Sequence, residues 1–216
     1  MGRLLVAWKP VVEAVSLLTI ALPLALWSHL PAVWILVPLL YLWVTKRDLD
    51  PYGITLRGIP SARFHLVLLV GVFLPYLVGH YVFGVWYLGR RFSLRFPDEF
   101  PQLVLEHLLG VGLAEEFFFR AYMQTEFDRV AGLRWSFLGA RIGPGLLWAN
   151  ALFAFCHVFN GGPARLIVFF PGLLYGWLWA RTHNLVVPAF YHGLSNILMS
   201  VMLASFRNSV IGLPLG

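Results

Sequence analysis

The sequence predicts an all-α membrane protein, a polytopic bundle of about seven transmembrane helices (six to eight). Three observations predict it. Of the 216 residues 59% are hydrophobic and only 12% charged, and the mean hydropathy is +0.75, a composition outside that of soluble domains. Apolar runs recur along the whole chain, separated by short stretches of charge, proline or glycine. Most of these runs approach the roughly 20 apolar residues that a helix needs to cross the hydrocarbon core of a bilayer.

The runs lie at 11–27, 31–45, 64–88, 101–124, 143–159, 164–181 and 184–206, the second being short and the fifth marginal. They fill one integral membrane domain, 1–216, and leave no room for a separate soluble one. Arg3 and Lys9 precede the first run, and no small-residue cleavage site follows it, so it reads as an uncleaved span. The polar stretch from Lys46 to Ile54 reads as a cytosolic loop. No internal repeat of the kind that builds inverted-repeat transporters is visible.

The net charge is +6 and the pI about 9.8, but the basic residues sit between apolar runs. That places them against anionic lipid headgroups and not against nucleic acid. Lysine and arginine are retained on the cytoplasmic side of a membrane. An N-cytoplasmic arrangement puts Arg3, Lys9, Lys46, Arg47, Arg57, Arg63, Arg129, Arg134, Arg141 and Arg181 inside, and Arg90, Arg91, Arg95, Arg165 and Arg207 outside. Ten against five favours it, with the Arg90, Arg91, Arg95 cluster as the exception.

Ionisable residues inside the runs carry the functional signal, because each costs several kcal/mol at bilayer depth unless paired or hydrated. In the fourth run Glu115, Glu116 and Arg120 interrupt a strongly apolar helix. Glu116 and Arg120 are four apart and share a face, whereas Glu115 points about 100° away and is the better candidate base. The alternative is a buried ion-pair network that ties helices together, but two acids with one base leave a carboxylate over. His157 ends the fifth run, just before the breaker Asn160-Gly161-Gly162-Pro163. In the last run His192 and Asn196 are four apart on one face, either as helix glue or as two donors for one oxyanion. Gly193 between them permits a close approach by a backbone or a substrate.

Cys156, the one cysteine, excludes an intrachain disulfide and reads as a small apolar filler beside His157. His29, His65, His80, His107 and His183 are explained by interfacial placement. Phe117, Phe118 and Phe119 either wall a cavity or face lipid.

The order Glu-Glu-x-x-x-Arg at 115–120, Phe-x-x-x-His at 153–157 and His-x-x-x-Asn at 192–196 resembles the CAAX protease and bacteriocin-processing family, also called the ABI family. The resemblance covers about residues 101–206, and Tyr52-Gly53-Ile54 also looks like that family's polar loop. It implies a glutamic intramembrane endopeptidase with an intramembrane polar cavity open toward the cytosol. Glu115 and His157 would activate a water, Glu116 and Arg120 would be the partner acid and motif arginine, and His192 and Asn196 would hold the oxyanion. No position departs from the three motifs.

The resemblance further implies a membrane-tethered or lipidated protein or peptide as substrate; membrane lipid is the other expected partner, nucleic acid is not, and no cofactor is expected, with a metal left open. The expected location is the plasma (inner) membrane of a bacterium. Three rival readings stay open. One is a metal-dependent membrane protease that uses Glu115, Glu116, His157 and His192 as ligands, although no His-Glu-x-x-His motif is present. The others are a proton-coupled transporter and a non-catalytic scaffold or immunity protein. One conflict also stands on these boundaries. A straight-helix count at about 1.5 Å per residue puts Glu115 nearer the inner side and His157 nearer the outer, unless the fifth span starts later, tilts or re-enters.

Overall fold

A computed structural model describes the backbone of residues 2–207 and the side chains of 7–206. The Arg3 and Arg207 side chains, counted in the charge partition, lie outside the described residues. The protein is mostly helical, and its long helices follow the apolar runs: α1 (Gly2–Ser28), α2 (Val33–Val44), α3 (Ala62–Tyr87), α4 (100–131), α5 (Pro144–Gly161), α6 (Phe169–Thr182) and α7 (Val186–Ser205). Among the described residues three helices are long and apolar enough to cross a membrane: Ala7–Ser28 in α1, α3 and α7. Helix α2 is too short, and α4 is interrupted by the charged residues of the candidate site.

Local chemistry sets the ends. Helix α1 tolerates Pro10 and Pro23, as membrane helices do, and stops at His29 in the left-handed region (φ 56°). Thr45 Oγ1 donates to the Tyr41 carbonyl at the end of α2. Helix α5 starts with Pro144 at its first position, where the missing N–H costs nothing, and ends at Gly162 (φ 76°). Between α6 and α7, the Asn184 side chain accepts from the Val186 N–H (2.8 Å) and donates to the carbonyls of Thr55 (2.9 Å) and Arg57 (2.7 Å). One residue thus caps α7 and anchors the polar loop.

The backbone contacts group into two compact units, residues 1–59 with 106–193 and residues 60–105 with the chain from 194 on. The first is built around the aromatic cluster of Trp34, Phe117, Phe118, Phe119, Tyr122, Phe153 and Trp179, all buried. Phe117, Phe118 and Phe119 are each at most 2% exposed and face this core, which corrects both readings of them from the sequence. Phe118 and Phe119 pack on Trp34, at 5.1 and 5.2 Å between ring centroids. The unit also carries the hairpin of β2 (Trp135–Phe137) and β3 (Ala140–Ile142). In the second unit β1 (Arg91–Phe92) pairs antiparallel with β4 (Phe206–Arg207), and the Phe206 ring fills the space that a side chain at Gly84 would need. Helix α3 presents Val67, Val70, Leu74, Val78 and Trp86 to the outside, an apolar surface suited to lipid.

Helix α4 resolves the depth conflict. Its apolar run ends near 124, but the helix continues to Ala131, because the polar residues of its last turns are held by protein partners. Glu126 accepts from the buried Tyr52 hydroxyl (2.7 Å) and from Arg129 (2.6 Å), and Asp128 accepts from the Gly145 N–H (3.1 Å). Glu115 therefore lies sixteen residues before the end of α4, and His157 lies thirteen after the start of α5. The two reach the same level without a re-entrant segment.

Candidate active site

Glu115 and Glu116 stand on a single α-helical stretch, Leu113–Glu116, between two wide π-helical stretches of α4, Glu106–Gly112 and Phe117–Gln124. Such i→i+5 turns recur at functional sites because they rotate side chains away from the faces that regular spacing dictates. Helix α7 comes close to this part of α4 for want of side chains. A Cβ on Gly112 would lie 2.6 Å from the Ala189 carbonyl, and one on Gly193 would lie 2.7 Å from the His107 carbonyl. Of the two uses the sequence left open for Gly193, the structure shows the approach of a neighbouring backbone.

This approach brings His192 onto the two acids. Its Nδ1 lies 2.8 Å from Glu116 Oε1, while the other oxygen of Glu116 accepts from Arg120 Nε at 3.2 Å. Glu116 and Arg120 are both fully buried. Arg120 donates on to Asn150 Oδ1 (3.2 Å), lies over the Phe153 ring (4.7 Å to its centroid), and Asn150 Nδ2 donates to the Phe169 carbonyl (2.8 Å). Gly172 is required here, since a Cβ would fall 2.0 Å from Asn150 Oδ1. The His192 ring stacks flat on Tyr175 (4.8 Å, 10°) and meets the edge of Phe153 (5.9 Å, 90°), so packing fixes its plane.

His157 is fixed by its own helix. Its Nδ1 lies 2.9 Å from the Phe153 carbonyl, which can only accept, so Nδ1 carries the hydrogen and Nε2 is left facing inward. Both imidazoles aim Nε2 at one atom. Glu115 Oε2 is 3.7 Å from His157 Nε2 and 3.9 Å from His192 Nε2, and it makes no direct hydrogen bond. Among the described residues no three His, Cys, Asp or Glu side chains are grouped so as to hold a metal ion. A cleft of about 740 Å³ reaches Glu115, lined on the way by Leu22, Leu26, His29, Trp34, Phe159 and Asn160 among others.

Five of the six residues singled out in the sequence are thus brought together: Glu115, Glu116, Arg120, His157 and His192. Asn196 stands one turn beyond His192 on α7, in the second unit. Cys156 is buried on α5. His107 is half-buried within α4, and its Nδ1 has no hydrogen-bond partner. Sequence reasoning missed Asn150, Gly172 and Tyr175. Asn150 carried a legible signal, a polar side chain inside an apolar run. Gly172 and Tyr175 carried none.

Outside the candidate membrane spans, Tyr52 is the polar-loop residue that matters. Burial and its hydrogen bond to Glu126 push its phenol up to about 12, so it stays a neutral donor. Gly53 beside it (φ 62°) has no room for a side chain against Trp179 and the His183 carbonyl.

No curated protein and no solved structure matches the chain. Residues 98–198 match the family described as type II CAAX prenyl endopeptidase, Rce1-like. That segment contains all six motif residues, and the match agrees with the resemblance read from the three motifs. The motif-bearing segment of this membrane protein is therefore similar to the Rce1-like family of type II CAAX prenyl endopeptidases.

Proposed function

We propose that the chain is a glutamic intramembrane endopeptidase that hydrolyses a peptide bond near the C-terminal end of a membrane-tethered or lipidated substrate. One observation carries the reading: a carboxylate oxygen without a direct hydrogen bond, Glu115 Oε2, faces two imidazole nitrogens at 3.7 and 3.9 Å. These separations are too long for direct hydrogen bonds and suit a water shared among the three groups.

Glu115 takes a proton from that water while His157 Nε2 orients it, and the hydroxide attacks the scissile carbonyl. Negative charge then develops on the carbonyl oxygen. His192 Nδ1 donates to Glu116, so Nε2 can donate to the oxyanion only when the ring is protonated. Glu116 Oε1 accepts from Nδ1 and so supports that imidazolium, while Arg120 holds the other oxygen of the same carboxylate. The motif resemblance assigns the second donor to Asn196. Glu115 returns the proton to the departing amine.

The same reading takes the long helices as seven spans of one membrane domain, with a cytoplasmic N-terminus, in the plasma membrane of a bacterium. The name of the matched family, CAAX prenyl endopeptidase, makes prenylated peptides the first substrates to try.

The test is cleavage of a panel of tethered and prenylated C-terminal peptides by protein held in nanodiscs, as wild type, Glu115→Ala and His192→Ala, with and without chelator. The expected result is loss of cleavage in both variants and no effect of chelator. Cleavage by Glu115→Ala at the wild-type rate would falsify the assignment, and loss on chelation would turn it to a metal.

A further inference from the structure

The unit that holds the site has two chemically different ends. At one end lie the start of α1, the end of α2 with the loop behind it, the end of α4 with its hairpin, and the end of α6. Polar contacts tie these together: Arg47 to Glu13 (2.6 Å) and to Glu126 (3.7 Å), Arg181 to the Gly139 carbonyl (2.8 Å), and Asn184 to the loop carbonyls of Thr55 and Arg57. Lys9, Lys46, Arg47, Arg57, Arg129, Arg134, Arg141 and Arg181 all belong to this end. The other end consists of the His29–Pro31 turn, the last turn of α5 and the short helix Pro163–Val168, and its one basic residue is Arg165. Arg120, buried in the site, belongs to neither.

The cleft that reaches Glu115 opens at the second end. Its mouth is made by His29, Leu30 and Pro31 on one side and Phe159 and Asn160 on the other. Two expectations from the sequence, a cytoplasmic N-terminus and a cavity open to the cytosol, therefore exclude one another in this fold. Lysine and arginine in short loops resist translocation and set orientation. Within this unit they divide eight to one. Arg90, Arg91 and Arg95, the outward exceptions in the sequence, belong to the second unit and do not alter that division.

We infer that the cleft opens on the extracytoplasmic face, and that the substrate is a polypeptide held in the membrane with its scissile bond presented on that face. The nature of the cargo rests on the protease reading above, whereas the orientation rests on charge and fold alone. The cleft wall suits such a chain: Leu22, Leu26, Trp34 and Val111 offer an apolar path beside a tethering segment, and Glu115 lies along it.

The experiment separates the two claims. In a Cys156→Ala background, Ala164→Cys at the cleft end and Ser136→Cys in the hairpin are exposed single thiols. On intact bacterial spheroplasts a membrane-impermeant maleimide should label Ala164→Cys at once, and Ser136→Cys only after permeabilisation. Labelling of Ser136→Cys first, or no labelling of Ala164→Cys before permeabilisation, overturns the inference. In parallel, one tethered reporter peptide is displayed on either face of cells that carry the wild-type chain. Cleavage of the outer-face display alone is expected, and cleavage of the cytoplasmic display alone overturns the inference. If neither is cut while the labelling is as expected, the orientation stands and the protease reading falls.

Discussion

Two acid–base clusters share helix α4, each around a fully buried acid and ten residues apart, and they differ in the bases that answer their acids. Around Glu126 the bases are guanidinium groups: Arg129 at 2.6 Å and Arg47 at 3.7 Å, with Arg47 also holding Glu13 at 2.6 Å. Around Glu115 and Glu116 there is one guanidinium, Arg120, and two imidazoles, His157 and His192. Arginine stays protonated under all working conditions, while an imidazole exchanges its proton near neutrality. The first cluster can only hold elements together. The second has the chemistry both to hold and to move a proton. Burial of an acid alone does not mark a functional site in this membrane protein, since Glu126 is as fully buried as Glu116.

The largest effect that sharpens the comparison is expected from Glu116→Gln. It leaves the fully buried Arg120 without its counter-charge, at a cost of about 3–5 kcal/mol, and removes the support for a His192 imidazolium, so cleavage falls about 100-fold or more. Denaturation in detergent and steady-state kinetics read the two losses separately. Asn150→Ala strips Arg120 Nη2 and the Phe169 carbonyl of their partner and should cost about 1–3 kcal/mol with a smaller fall in rate.

Glu126→Gln tests the other cluster. Arg129 and Arg47 are partly exposed and can turn to water, so stability should drop by about 1–2 kcal/mol while kcat/KM changes by less than about twofold. A folded Glu126→Gln protein without activity would break the distinction between the clusters. Tyr52→Phe, the mildest change, removes one hydrogen bond worth about 1 kcal/mol. The folded phenol is pushed up to about 12 against about 10 for a free one, so this stabilisation is complete below about pH 10 and fades as pH rises toward 12. A thermal scan of both proteins from pH 7 to 11 checks that sign.

Helix content and the acids, bases and imidazoles of the site were legible along the chain, because a charged side chain inside an apolar run stands out against its neighbours. The pairing of Glu116 with Arg120 was legible too, since it follows from helical spacing. What misled the sequence reading was the assumption that a helix ends where its apolar run ends. Glu126, Asp128 and Arg129 look like a loop until Tyr52, Gly145 and Arg47 are placed around them, and that continuation of α4 is what levels Glu115 with His157. Phe117, Phe118 and Phe119 were ambiguous for a related reason: hydrophobicity cannot distinguish a lipid-facing ring from a core-facing one, as both environments are apolar.

The sequence by itself determined that this is a helical membrane protein, that its charge is unevenly shared between loops, and which side chains are costly enough at bilayer depth to be read as functional. Only the tertiary structure decided that Glu115 meets His157 and His192, that Asn150, Gly172 and Tyr175 hold the site in place, and that the cleft opens at the end poor in basic residues. The physical reason is range. Hydropathy, charge and helical spacing act between near neighbours in the chain, whereas a site is made by contacts between helices, and these depend on close approaches such as that at Gly112 and Gly193.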